Sequence, residues 1–481
     1  MTQTPTFGRK EVAYASPSFT ASGCTGGPTH VWFANKATQR AVVSAPLDER
    51  PLTADQSAHI DTIPTANPDG SDPAPWIGLS CLIEGSTRSS IAETLSRYVD
   101  RHEIMRSIFD TDEFDGTARS LLPIGTAAFE PLELGELTSQ ENFNRLSRHL
   151  AREARCTSWP YAGFATIETN KGTFLFAAFD HMVFDGYSLY ISLDEFPRLH
   201  AGVLAGDSAP APALSHADFA HVEHNLATAL GADSPELATW KNALNERREL
   251  PGLPRQAGIR DGERHPHEFI SIPLLDGAES AQVKERFRDR DVSTGFGFLS
   301  VLLGNAASLE ADRSINFLVS THNRPSPAWG ESIGWFAGVV PMSLCVAENA
   351  SGHATYEELK EQWQVSQFAS VLRMPDAARR LSATIEPALV VSYMEGRHAP
   401  GAEHWERNRA KALLGPTPPS SQIHLWINSM PNGTFLEVRF PNTRRCREWI
   451  LSIAAQTRET LIGIGTRTHE FDECPEDIPC K

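Results

Sequence analysis

FAAFDHMVFDGYS, residues Phe176 to Ser188, decides how the rest of this chain is read. An apolar run ends at Phe179, Asp180, His181, Asp185 and Gly186 follow within seven residues, and Tyr187 to His200 carries the pattern of a helix. A histidine just past a strand sits at the lip of a sheet, where a rigid scaffold holds it and a cleft can reach it. With an ordinary pKa of about 6.5 it is mostly neutral at pH 7 and can accept a proton. Gly186 is expected to supply a tight turn that fixes the return of the loop. The plainer alternatives are a structural histidine and an Asp185 that only caps the following helix.

Upstream, Tyr161–Glu168 and Thr173–Phe179 read as a hairpin around Asn170-Lys171-Gly172. Trp76–Glu84 reads as a buried strand and Thr87–Arg101 as a helix with Ile91, Leu95, Tyr98 and Val99 on one face. Thr62–Pro75 reads as irregular, and Gly202–Leu214, with its GDSAPAPAL, as a linker. Downstream, helices are expected at Ala281–Arg290, Gly295–Leu309, Thr355–Met374 and Arg444–Ile462. Strands are expected at Ile315–Ser320, Val339–Val346 and Ala388–Tyr393, with a hairpin of His424–Asn428 and Phe435–Phe440. The mixture is α+β without strict βαβ alternation, which speaks against a Rossmann or barrel fold.

The chain has 481 residues, 41% hydrophobic and 21% charged, an ordinary globular composition with room for a large core. Its 43 Lys+Arg against 60 Asp+Glu give a net charge of −17, which argues against nucleic acid or an anionic membrane surface as partner. The 7 cysteines are scattered without metal-knuckle spacing, so reduced thiols in a cytoplasmic setting are expected. No apolar run approaches the ~20 residues of a membrane span, and the first residues do not resemble a secretion signal. Nucleophile-elbow, phosphate-loop and zinc-helix motifs are missing. His221 with His224, and His265 with His267, read as solvated pairs, so no metal site is expected.

His181-Met-Val-Phe-Asp185-Gly186, an H-x-x-x-D-G after an apolar strand, resembles the signature of the condensation-domain and chloramphenicol acetyltransferase-like superfamily. Arg101-His102-Glu103-Ile104-Met105-Arg106 is similar to its R-H-E-x-x-R segment, His322-Asn323-Arg324-Pro325 to its Arg-Pro segment, and Ser332 to Pro341, with Gly334-Trp335-Phe336, to its G-x-F…P segment. The G-W-F-x-G form looks closest to polyketide-associated acyltransferases. Peptide-forming condensation domains carry a second histidine where this chain has Asp180.

The resemblance implies two acetyltransferase-like subdomains in a V-shaped pseudodimer with a central tunnel. These would be residues 26–205 and 206–465, after a flexible extension over 1–25 and before a tail over 466–481. It implies His181 in mid-tunnel, as general base toward the acceptor or as a positioning group for the charged tetrahedral state. It implies Asp185 turned away from substrate and paired with Arg324, or second with Arg106, while Gly186 supports the loop. Asp180, Gly334, Trp335 and Ser392 are expected along the tunnel, whereas Phe336 reads as core. No cofactor would be resident; acyl-coenzyme A or a phosphopantetheine thioester on a carrier protein would be the co-substrate. The activity implied is a stand-alone, monomeric acyltransferase acting on a hydroxyl or amine in specialised lipid or natural-product assembly. A free-standing amide-forming condensation enzyme and a non-catalytic recruitment module are the alternatives.

Overall fold

The computed structural model describes residues 26–466 except 67–74, 111–117, 139, 261 and 349–350, and describes Cys24 as well. Two six-stranded sheets dominate. The first sheet runs in the order Lys411–Leu414, Trp76–Ile83, Gly172–Asp180, Ala162–Thr169, Gly27–Ala34, Phe129–Leu137 and is antiparallel throughout. The second runs Gly338–Cys345, Ser314–Thr321, Leu389–Glu395, Ile423–Met430, Gly433–Pro441, His267–Asp276, with parallel pairing only on either side of Leu389–Glu395.

The strand Gly172–Asp180 is apolar on both faces because both are covered. Leu175, Ala177 and Phe179 join a core with Leu95, Tyr98 and Phe196, which belong to the helices Arg88–Arg101 and Gly186–Ala205. Phe174, Phe176 and Ala178 pack on the other side with Phe143, Leu146 and Leu150 of the helix Gln140–Glu153. Thr87 caps the first of these helices by accepting from the Ser90 N–H at 3.1 Å. The Arg101-His102 pair sits under it: both side chains meet Glu195 of the helix Gly186–Ala205, at 2.5 and 2.7 Å.

Several expectations need correction. Thr62–Ala66 is not irregular but ends a helix that begins at Ala54. The helix Gly186–Ala205 runs into the expected linker and stops at Gly206, which takes the left-handed conformation. Thr355–Met374 is not one helix: Gly352–Ser366 gives way to a 3₁₀ turn, and a new helix starts at Met374 with Pro375 in its first turn. Cys24 is buried against the first sheet, so not all of residues 1–25 is a free extension; the rest of that segment lies outside the described residues. Thr466 ends the last helix, and the tail after it also lies outside them.

The halves are interleaved rather than joined by one linker. Ala399, Ala402, Trp405, Ala410 and Ala412 come from late in the chain yet pack in the core around Phe179, and Lys411–Leu414 pairs with Trp76–Ile83. No helix among the described residues is long and apolar enough to cross a membrane.

Candidate active site

His181 opens a single 3₁₀ turn between the strand ending at Asp180 and the helix starting at Gly186. Asp180 holds that turn: its Oδ1 accepts from the Met182 N–H at 2.8 Å and its Oδ2 from the Cys156 N–H at 3.0 Å. The His181 ring is half-buried. Its Nδ1 is shut off from solvent with no hydrogen-bond partner of good geometry, and the described residues offer none to Nε2. Burial pushes the His181 pKa below the ordinary histidine value and His59 pushes it the same way, while its own backbone carbonyl, Asp185 and Asp180 push back. The ring is therefore neutral at pH 7, with Nε2 the nitrogen left open.

Asp185 has both roles that its sequence position allowed. It caps the helix, accepting from the Ser188 N–H at 2.8 Å and hydroxyl at 2.7 Å. It also faces Arg324 from the second half, with Nη1 to Oδ2 at 3.3 Å and Nη2 to Oδ1 at 3.2 Å. The N–H groups of Phe336 and Ala337 each donate to Oδ2 at 3.1 Å. Burial alone would raise the Asp185 pKa, but Arg324 and Ser188 outweigh it and hold it below the usual carboxylate value. Arg324 lies flat between Phe336 and Tyr187, 4.2 and 4.7 Å from their ring centres.

Arg106 takes no part in this pair. It donates to the carbonyls of Asp100 and Leu122, at 3.2 and 2.8 Å, and closes its own loop. Gly186 also differs from expectation: it is the first helical residue and is not among the positive-φ glycines, so Asp185, not glycine flexibility, fixes the loop. The glycine that the site does require is Gly334, at φ +151°, where a Cβ would lie 2.3 Å from His216 Cδ2. His216 is hydrogen-bonded to the Trp335 carbonyl at 3.1 Å, so the two positions are linked. Gly334→Ala is expected to destabilise the protein by about 1–3 kcal/mol, through overpacking and a strained backbone, as a lowered denaturant midpoint checks.

Trp335 is half-buried with its ring 4.3 Å from that of His181. Its other neighbour, which sequence reasoning missed, is His59, at 5.8 Å edge to face. His59 sits 2.9 Å from Asp180 Oδ1. Burial opposes a charge on His59, but the hydrogen bond and the charge of Asp180 outweigh it and raise its pKa. A second imidazole, supplied by the helix Ala54–Ala66, thus stands against the carboxylate at position 180. His59, Asp180 and Cys156 bring three potential metal-ligand atoms within 4.8 Å of one another. Both Asp180 oxygens already accept backbone N–H groups and burial keeps the Cys156 thiol protonated, so the trio is a hydrogen-bonded unit.

Arg373 ties this region together and was also missed. It is buried and reaches Glu223 at 2.6 Å, Asp55 at 3.0 Å and the Phe336 carbonyl at 3.2 Å, binding the His59 helix to the Gly334–Ala337 segment. Ser392 is buried on the second sheet, in register with Trp426, and its hydroxyl has no hydrogen-bond partner among the described residues. Phe336 is fully buried, as a core aromatic.

A condensation-domain family model matches residues 82–369, three-fifths of the chain, and the chain belongs to that family. Acyltransferase PapA3 of Mycobacterium tuberculosis is 23% identical over 456 residues, covering 90% of this chain and 93% of that protein. Trehalose-2-sulfate acyltransferase PapA2 of Mycobacterium bovis is 21% identical, covering 91% and 94%. Among solved structures, a PapA2 acyl transferase superposes with a TM-score of 0.80 at 17% identity, covering 91% of this chain and 97% of that one. The first condensation domain of the calcium-dependent antibiotic synthetase superposes at 0.66 with 15% identity, covering 86% and 96%. The fold is the chloramphenicol acetyltransferase-like pseudodimer, and the protein is an acyltransferase.

Proposed function

We propose that the protein transfers an acyl group from a thioester to a substrate hydroxyl at His181. The observation that carries this is the His181 ring itself: a half-buried imidazole against Trp335 of the second half, with Nδ1 shut off from solvent and Nε2 without a partner among the described residues. His181 Nε2 takes the proton of the attacking hydroxyl as its oxygen bonds to the thioester carbon. The tetrahedral state then collapses, the C–S bond breaks, and the proton passes to the leaving thiolate. Ester and free thiol are the products, and no acyl-enzyme is needed when both substrates are held together. An acceptor hydroxyl fits the relatives, one of which is named for a sulfated sugar. The donor is carried by coenzyme A or by the phosphopantetheine arm of a carrier protein.

Purified protein is to be mixed with acyl-coenzyme A or acyl-carrier protein and with hydroxyl or amine acceptors, and the products weighed by mass spectrometry. Ester with equimolar thiol is expected. Amide from the amines alone, or no transfer by folded protein from either donor, overturns the proposal.

A further inference from the structure

The strand Gly433–Pro441 alternates Leu436, Val438 and Phe440, buried in the core of the second half, with Glu437 and Arg439 on its other face. That other face is turned toward the first half. Phe269, Phe435 and Met430, from the same face or its edge, pack against the core around Phe179. Across the sheet, Arg439 stands in register with His424 on one side and Phe269 on the other.

Arg439 has no acidic partner among the described residues, and its Nε is buried without a hydrogen-bond acceptor. Its guanidinium lies 5.6 Å over the ring of Trp426, on which His424 stacks at 5.3 Å. Glu437 is the acidic group on the same strand face, and it is engaged by Asn428 Nδ2 at 2.6 Å and by the Ser271 hydroxyl. His267, near the strand end, is 2.8 Å from the Ser420 hydroxyl. Burial lowers the Arg439 pKa to about 10, which leaves it a cation at neutral pH. Burial and the charge of Arg439 keep His424 and His267 neutral. Phe269 and Phe435, on the same face as Arg439, pack against the core that holds Phe179 and Met182, the residues that flank Asp180 and His181.

Arg439 as a whole is half-buried, with its Nε inside, and a guanidinium placed so without a counter-charge leaves its hydrogen-bonding capacity unused, where proteins normally pair it. Its planar fork matches carboxylate, sulfate and phosphate oxygens, two at a time. We infer that Arg439, with His424 beside it, binds an anionic group carried by the acceptor, so that the enzyme takes sulfated, phosphorylated or carboxylated hydroxyl compounds. The inference rests on the reading that substrates meet at His181. The pantetheine phosphate of the donor is the other source of the same chemistry.

Binding is to be measured without turnover, by titrating inorganic sulfate into wild type and Arg439→Gln at constant ionic strength set with chloride. Sulfate is expected to raise the unfolding midpoint of wild type and to leave that of Arg439→Gln unmoved. Arg439→Gln is expected to be at least as stable as wild type without sulfate, since it removes an unpaired, half-buried charge. With turnover, the KM for an anionic acceptor is expected to rise about 10- to 100-fold in Arg439→Gln, the worth of a charge-assisted hydrogen bond. The KM for the neutral form of that acceptor and for the donor should not move. A rise in donor KM alone assigns the cation to the pantetheine phosphate and overturns the acceptor assignment. Equal sulfate responses in both proteins, or a variant that unfolds without sulfate, overturns the site. Sulfate binding lost in Arg439→Gln, together with no acyl transfer by wild type, leaves the anion site standing and refutes the proposed function.

Discussion

Asp185→Ala is expected to lower stability by about 3–5 kcal/mol, the cost of removing one partner from a buried ion pair. The carboxylate has six hydrogen bonds to lose. Two come from Arg324, two from Ser188, and one each from the N–H groups of Phe336 and Ala337. Its removal leaves the Arg324 guanidinium buried beside Phe336 with the Ser188 hydroxyl and the Ser332 carbonyl as its hydrogen-bond partners. Chemical denaturation of the variant checks this, with Arg324→Leu and the double variant completing a cycle. The double variant should lose far less than the sum of the singles, because it leaves no orphaned charge. An unchanged midpoint in Asp185→Ala refutes the assignment. The sign with pH follows from the lowered carboxylate pKa: the stabilisation is present above the unfolded value of about 3.9 and is lost as pH falls through the folded one.

The two ends of that pair were unequally legible in the sequence. The strand, turn and helix around His181 follow from contiguous residues, because Phe174 to Phe179 is apolar without interruption and Asp185 precedes a helix at once. Arg324 lies 139 residues away from Asp185, and only the family resemblance connects the two. His59 was hidden for a local reason. Its helix, ADQSAHIDTIPTA, contains Pro64 and has little apolar periodicity, so nothing marks it as a helix, and its last residues read as irregular. Arg373 was hidden inside a segment that looks like one long helix, although the chain breaks there and turns the guanidinium inward. Arg439 was hidden inside a correctly expected strand. Alternation of Leu436, Val438 and Phe440 with Glu437 and Arg439 fits the expected hairpin strand but does not tell what its polar face meets, and here that face packs in part against the other half of the molecule.

The junction of the two halves sets what His181→Ala should do. Loss of a positioned general base is expected to reduce kcat by about 10²–10⁴-fold, with the folded state retained because the half-buried ring makes no hydrogen bond to the described residues. Wild-type kcat/KM is expected to be flat above pH 6.5 and to fall below it. Burial has lowered the His181 pKa, so the ring loses its proton-accepting form only as pH drops beneath the ordinary histidine value. His59 gives the discriminating control, since its pKa moves in the opposite direction through Asp180. If the acid limb belongs to His181, it disappears from the residual activity of His181→Ala and persists in His59→Gln. If it persists in His181→Ala and vanishes in His59→Gln, the titrating group is His59, and His181 serves to position the acceptor rather than to take its proton.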